Sequence, residues 1–246
     1  MDCSVRAAQV PVWVSAIVKS AGGSLPGGVM GGASRFLVVR TWSRFRSSSS
    51  GLVLCGARVE LRMLVEDDFA EWRAVRRANR EWLTPWEPTA PRSQPDVVED
   101  RLAFAARCSA RDRELQMDTG YGFGVFAEGR LVGEMNLSGV QRGPFQSGHV
   151  GYWIDHRHAG REYTPEALVV MLDYAFGSLG LHRVQINIIP RNRASRRVVE
   201  KLGIRNEGVA LRYLEINGCW EDHIRYAITT EEWHVLGPHL VAGWVG

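Results

Sequence analysis

The run Arg157-His158-Ala159-Gly160-Arg161-Glu162, followed by Tyr163, Thr164 and Pro165, has the make-up of an anion cradle. Two arginines and a glycine stand directly before the predicted start of a helix. A helix N-terminus offers unpaired main-chain N–H groups and the positive end of the helix dipole, so the stretch suits a phosphate or pyrophosphate. Thr164 is the expected N-cap, Pro165 the first helical residue, and Glu166 complements the dipole.

Other groups capable of chemistry stand on either side. On a strand predicted from Leu131, alternation places Glu134, Asn136 and Ser138 on one face, a carboxylate, an amide and a hydroxyl in line. Glu134 is a candidate general base, against its plainer reading as an exposed strand carboxylate. His156 follows the predicted strand HVGYWID. An imidazole's pKa suits base work, against a plainer reading as a solvated loop residue. Asn192 and Ser195 stand where a later helix opens, and either can cap it. His158, His182 and His223 lack metal-ligand spacing, and no metal is assigned. The G-x-G-x-G at Gly120–Gly124 runs into a strand instead of opening a helix, which rules out a dinucleotide fingerprint.

The elements that must position these groups follow from periodicity. ARVELRML alternates as a strand. A helix begins at the acidic turn Glu66-Asp67-Asp68 and buries Phe69, Trp72 and Val75. The proline-broken loop REWLTPWEPTAP carries Trp82, Trp86 and Glu87, and a second helix is expected from Asp96 to Leu115. A hairpin turning at Glu128-Gly129 and the strand HVGYWID lead into the basic loop. The helix after Thr164 buries Leu168, Met171, Leu172 and Phe176. Then come the strand HRVQINIIP, a helix closed by Gly203, a hairpin turning at Asn217-Gly218, and a short terminal helix at EEWHVL. This is mixed α/β architecture in one domain.

Composition sets the outer limits. Of 246 residues, 45% are apolar and 23% charged, an ordinary globular balance with no run able to span a membrane. The net charge of +3 argues against a dedicated nucleic-acid binder. The first fifty residues hold six Lys/Arg against one Asp, a net +5, which leaves the remainder at −2. Glycine- and serine-rich, residues 1–56 read as a basic extension, disordered or an artefact of an upstream start, outside the folded domain. Residues 57–236 form that domain, and 237–246 are a tail. Cys3, Cys55, Cys108 and Cys219 have no close spacing and read as reduced cytoplasmic thiols.

With the loop Arg157–Glu162, this order of elements resembles the GNAT superfamily of N-acetyltransferases, whose signature is Q/R-x-x-G-x-G/A. GYW at Gly151–Trp153, AGR-YTPEA at Ala159–Ala167, LHRV at Leu181–Val184, N-x-A-S at Asn192–Ser195 and R-YLE-N-x-W-DH at Arg212–His223 resemble its ribosomal-protein-alanine acetyltransferase (RimJ/RimL-like) branch. The resemblance covers about residues 57–234.

It implies a central, mixed but mostly antiparallel sheet flanked by helices, with acetyl-CoA as co-substrate. The acetyl group passes by direct attack to a primary amine, most simply the N-terminal α-amine of a ribosomal or other protein. A small-molecule amine, or CoA and peptide binding with little catalysis, are the alternatives. The cofactor contacts implied are Arg157, His158, Ala159, Gly160, Arg161, Glu162, Tyr163, Thr164, Asn192 and Ser195, with Arg191 and Arg193 near the phosphates. Ser195 matches the serine that protonates the leaving thiolate. Trp82, Trp86, Glu87 and Tyr213 are the acceptor-side candidates, Glu87 attracting the ammonium. The protein is expected in the cytoplasm as a monomer or homodimer, with no membrane or nucleic-acid partner. Glu162 departs from the signature, which has Gly or Ala there. Its carboxylate either turns to solvent beside Arg161 or weakens cofactor binding.

Overall fold

The computed structural model describes residues 45–48, 51–89 and 95–246. The described strands form one sheet in the order β1-β2-β3-β4-β5-β6-β7-β9-β8. These are β1 (Phe45–Ser48), β2 (Gly51–Cys55), β3 (Val59–Arg62), β4 (Gly120–Ala127), β5 (Arg130–Gln141), β6 (Ser147–Ile154), β7 (Arg183–Ile188), β8 (Arg205–Ile216) and β9 (Cys219–Thr229). Every neighbouring pair is antiparallel except β6 with β7, which is parallel. A parallel pair needs a crossover, and α4 (Tyr163–Asp173) with its π-helical turn Tyr174–Ser178 supplies it.

The two faces of the sheet differ. On one side α4, α5 (Arg193–Lys201) and α6 (Thr230–Trp244) bury Leu168, Met171, Leu172, Val199 and Trp233 against Met135, Leu137, Val150 and Ile186. On the other, a smaller cluster joins Trp72 of α1 (Phe69–Ala78) and, past the short α2 (Arg80–Leu83), Phe104 of α3 (Arg101–Gln116) to Leu64, Phe126 and Leu131. The glycines of GYGFG sit inside β4, as expected for a strand. A Cβ at Gly122 would lie 2.9 Å from the Arg111 side chain and from Asn136 Oδ1, so the absence of a side chain lets α3 lie flat on the sheet.

Several sequence boundaries move. The extension assigned to residues 1–56 contains β2, whose Leu54 is fully buried in the main core, so the folded unit begins before Ala57. Residues 1–44 of that extension lie outside the described residues. The expected tail at 237–246 is instead helical to Trp244: α6 opens on a capping box between Thr229 and Glu232 and runs through Pro238. Helix α3 starts at Arg101, capped by the Asp100 carboxylate, and the segment before it from Asp96 is a turn.

Candidate active site

Strands β6 and β7 pair only through Ser147, Gly148 and His149 against Arg183, Val184 and Gln185. Beyond those rungs β6 continues to Ile154 and β7 to Ile188 with no ladder between them. The sheet is therefore split, and the split opens toward the loop before α4.

That loop fits an anion. Main-chain N–H groups of Arg157, His158, Ala159 and Arg161 are used within the loop. Those of Gly160, Glu162, Tyr163 and Thr164 have no protein acceptor among the described residues, four bare donors at the start of α4. Gly160 has φ of 78° and open space where a side chain would be. Helix α4 begins at Tyr163, one residue before the expected cap. Glu162 occupies the cap position with φ of 66° and makes no side-chain cap, so Thr164 is inside the helix and does not cap it. The left-handed backbone explains why the signature favours glycine here. The Glu162 carboxylate does not lean on Arg161. It turns to Lys201 Nζ, 2.6 Å away near the end of α5.

Glu166 is fully buried behind the loop. It accepts from the main-chain N–H groups of Arg58 (2.6 Å) and Val59 (3.1 Å) and from Arg58 Nε (2.8 Å). The Arg58 guanidinium also donates to the carbonyls of Arg161 and Glu162. One arginine thus fixes the anion loop to the beginning of β3.

A second buried carboxylate, Asp155, organises the other end of the loop, and the sequence reading missed it. Arg157 wraps it through its main-chain N–H (3.1 Å), Nε (2.9 Å) and Nη2 (2.5 Å). Burial pushes the Asp155 carboxyl up, but the Arg157 and Asn79 hydrogen bonds reverse this and hold it well below the usual carboxylate range. Arg157 is therefore engaged with Asp155. Arg191 is likewise engaged, paired with Glu221 at 2.8 Å and lying over the Trp86 ring. Arg161 and Arg193 remain exposed.

On the acceptor side, Trp82 donates from its indole to the Ile154 carbonyl (3.2 Å), at the far end of β6. Glu87 is held by both terminal Arg76 nitrogens, Nη1 and Nη2, at 2.7 Å, which neutralises it and removes the role expected of it toward an ammonium. Trp86 and Glu87 instead help bridge to the β8–β9 hairpin. Asn217 N–H donates to the Glu87 carbonyl (2.9 Å), and Arg191 reaches the Pro85 carbonyl. Beside this bridge a cleft of about 350 Å³ is lined by Arg191, Arg212, Trp220, Glu221 and Asp222, among others. Tyr213 lies next in sequence to Arg212 and stacks edge-on against His223.

The base candidates separate. Glu134 is buried, takes the Trp72 indole N–H at 2.5 Å and pairs with Arg107, so it is a structural carboxylate between β5, α1 and α3 and no free base. His156 is half-exposed at the loop end of β6, its Nδ1 held 2.8 Å from Asn79 Oδ1. At the start of α5 the cap is Asn192, whose side chain accepts from Ser195 N–H (3.1 Å). The Ser195 carbonyl accepts from Tyr152 OH (3.0 Å), and its hydroxyl has no protein hydrogen-bond partner among the described residues.

Comparison with known proteins agrees with this geometry. Residues 58–205 match the acetyltransferase (GNAT) domain family. The [ribosomal protein uS5]-alanine N-acetyltransferase of Escherichia coli is 30% identical over 193 residues, 77% of this chain and 96% of that protein. The probable N-acetyltransferase YjcK of Bacillus subtilis is 40% identical over 124 residues, 50% of this chain and 68% of that one. Mycobacterium smegmatis RimJ, solved in complex with CoA-disulfide, superposes with a TM-score of 0.70 at 31% identity, covering 78% of this chain and 91% of that one. The ribosomal-protein-S5-alanine acetyltransferase of Vibrio fischeri gives 0.66 at 30%, covering 74% and 98%. With the split sheet and the loop before α4 in place, the chain belongs to the GNAT acetyltransferases, alongside the RimJ/RimL proteins, and is an N-acetyltransferase.

Proposed function

We propose that this chain moves the acetyl group of acetyl-CoA to the N-terminal α-amine of a ribosomal or other protein. The observation that carries the reading is the split between β6 and β7, headed by four bare N–H groups at the start of α4. Pyrophosphate suits those donors, and an extended pantetheine arm suits a gap between two strands with unpaired edges. Solved relatives support the cofactor, since RimJ of M. smegmatis was crystallised with CoA-disulfide. Glu162 does not argue for a merely binding protein, because its carboxylate is tied to Lys201.

The chain's own groups then have assignable work. Gly160, Glu162, Tyr163 and Thr164 hold the pyrophosphate through their main-chain N–H groups, with His158, Ala159 and Arg161 forming the wall of the loop. Asn192 holds Ser195 beside the split, where Tyr152 of β6 ties it and its hydroxyl protonates the departing thiolate. Trp82, Trp86, Glu87 and Tyr213 border the acceptor entrance as structural residues. An α-amine titrates near pH ~8, against ~10.4 for a lysine side chain, so it needs the weaker base.

The test is a mass-spectrometric screen of acetyl transfer from acetyl-CoA to peptides with different first residues, to internal lysines and to small amines. Transfer to α-amines of peptides is expected. Transfer confined to small amines overturns the acceptor assignment, and acetyl-CoA binding without transfer to any amine overturns the reading as a whole.

A further inference from the structure

His149 and Gln185 form the last rung joining β6 to β7 before the sheet splits. A side chain on that rung stands at the head of the gap. Strand alternation and cross-strand register place His149 with Gly151, Trp153, Gln185 and Asn187 on the face opposite α4, α5 and α6. Directly beyond it on that face Gly151 is exposed, and a Cβ there would meet nothing within 4 Å. Half-buried and polar, His149 therefore borders open space where the two strands part.

Length decides which residue meets the thioester. From His149 to Ile154, the stretch of β6 beyond its last rung with β7 spans ~16 Å at about 3.3 Å per residue. An extended pantetheine arm, anchored by pyrophosphate on the N–H groups before α4, spans a comparable distance and ends at the head of the split. His156 lies at the other end, two residues past Ile154, where β6 has ended. Glu134 is already taken by Trp72 and Arg107.

We propose that His149 is the catalytic base, taking the proton from the acceptor amine as it attacks. This assignment rests on the acetyl-transfer reading above. The neutral amine forms its N–C bond to the thioester carbonyl carbon, and one N–H proton passes to His149. The C–S bond breaks with its electron pair going to sulfur, and the thiolate takes a proton from Ser195. Solvent then accepts the proton of His149 and restores that of Ser195, so the net change is one proton from nitrogen to sulfur.

The surroundings suit that work. The position a Cβ would take at Gly139 of β5 lies 3.5 Å from the His149 Nδ1. Nδ1 therefore faces β5, leaving Nε2 for the amine. Burial, and then the Arg183 and Arg225 guanidiniums, push the imidazole below its usual value against the opposing effect of the Ser138 backbone. Arg183 comes from β7 and is itself paired with Glu207 and Gln185. Arg225 comes from β9 and points to Gln185. The ring is neutral at pH 7 and ready to accept.

The experiment compares the full-length protein with His149→Gln, using acetyl-CoA and a short peptide beginning with alanine. Removing a general base is expected to lower kcat about 100-fold, with acetyl-CoA Kd unchanged within about twofold. In the wild type, log kcat/KM rises with slope one up to the amine pKa near pH ~8, and turns to slope two only at more acid pH, below the ordinary imidazole value, where His149 also protonates. The variant should keep slope one throughout. A variant within about threefold of wild-type kcat, or one that retains the steeper limb, overturns the assignment. If the variant is misfolded by circular dichroism, the wild-type profile decides, and absence of the steeper limb overturns it. An inactive variant beside an active wild type concerns His149 alone. A wild type that binds acetyl-CoA but acetylates no amine removes the transfer reading and this assignment together.

Discussion

Tyr152 donates its phenolic proton to the main-chain carbonyl of Ser195, 3.0 Å away, and so ties β6 to the first turn of α5 across the split. With Asn192 holding the Ser195 N–H, both main-chain groups of this serine are engaged while its hydroxyl is not. Ser195→Ala should therefore leave Tm and acetyl-CoA affinity unchanged and lower kcat tenfold to a hundredfold, on the order of a lost general acid. Pre-steady-state kinetics with calorimetry checks it. Equal losses in kcat and in affinity would mean that the serine is only a strut.

Glu162 carries a side chain where the backbone is left-handed. Glu162→Gly relieves about 1 kcal/mol of that conformation but adds chain entropy to the unfolded state and removes the exposed pair with Lys201. Stability should stay within about 1 kcal/mol of wild type and exceed that of Glu162→Ala. Removing a carboxylate and freeing Lys201 beside the anion loop should tighten acetyl-CoA binding twofold to tenfold at low salt, less at high salt. Calorimetry at two ionic strengths reads this, and identical affinities at both would contradict it.

The Glu166–Arg58 arrangement predicts a large stability loss far from any reacting atom. Glu166→Ala strands two main-chain N–H groups and half of an ion pair at a site with no exposed surface on the acid. A loss of about 3 kcal/mol is expected, since breaking a buried pair on one side is costly, and a Tm lower by roughly 6–12 °C follows. A drop under about 2 °C by scanning calorimetry would show that the N–H groups find other acceptors.

Acid should weaken the joint between β7 and β8. Hydrogen bonds from Arg183, then Arg205, lower the Glu207 carboxyl from 4.5 to about 2, against the opposing effect of burial. A depressed acid stabilises the fold fully above its unfolded value and loses that contribution as pH falls through the folded one. Tm of Glu207→Gln should lie below wild type at pH 7, and the gap should close between pH 4.5 and about 2. A gap that persists at the acid end would assign the effect to packing.

What could be read from the sequence followed the chain; what could not came from distant partners. The loop Arg157–Glu162, the cap at Asn192 and both β-hairpins are local patterns, and each stands where its spacing implies. Glu134 looked like an exposed strand acid because Trp72 and Arg107 come from helices 62 and 27 residues away. Glu87 looked free because Arg76 reaches back to it from α1. Arg157 was read for its charge, without its partner Asp155 only two residues earlier, because nothing in the string marks Asp155 as fully buried. His149 escaped notice for another reason. Alternation tells which face a strand residue takes, but not where a ladder ends. Strand β2 was lost in a Gly/Ser-rich context, its short apolar run GLVLC too brief to register.

The three rungs at Ser147–His149 also have a mechanical meaning. Among the described residues they are the only ladder between β6 and β7, so within the sheet β1–β6 and β7–β9 are joined by a short seam. A cofactor arm lying in the gap would act as mortar for that seam, adding stability by mass action as its concentration rises above Kd. Amide exchange at Gly151–Ile154 should slow on saturation with CoA while the centre of β4 stays unchanged. Resistance to proteolysis would then follow the supply of the co-substrate, making the lifetime of the folded chain a gauge of acetyl-CoA.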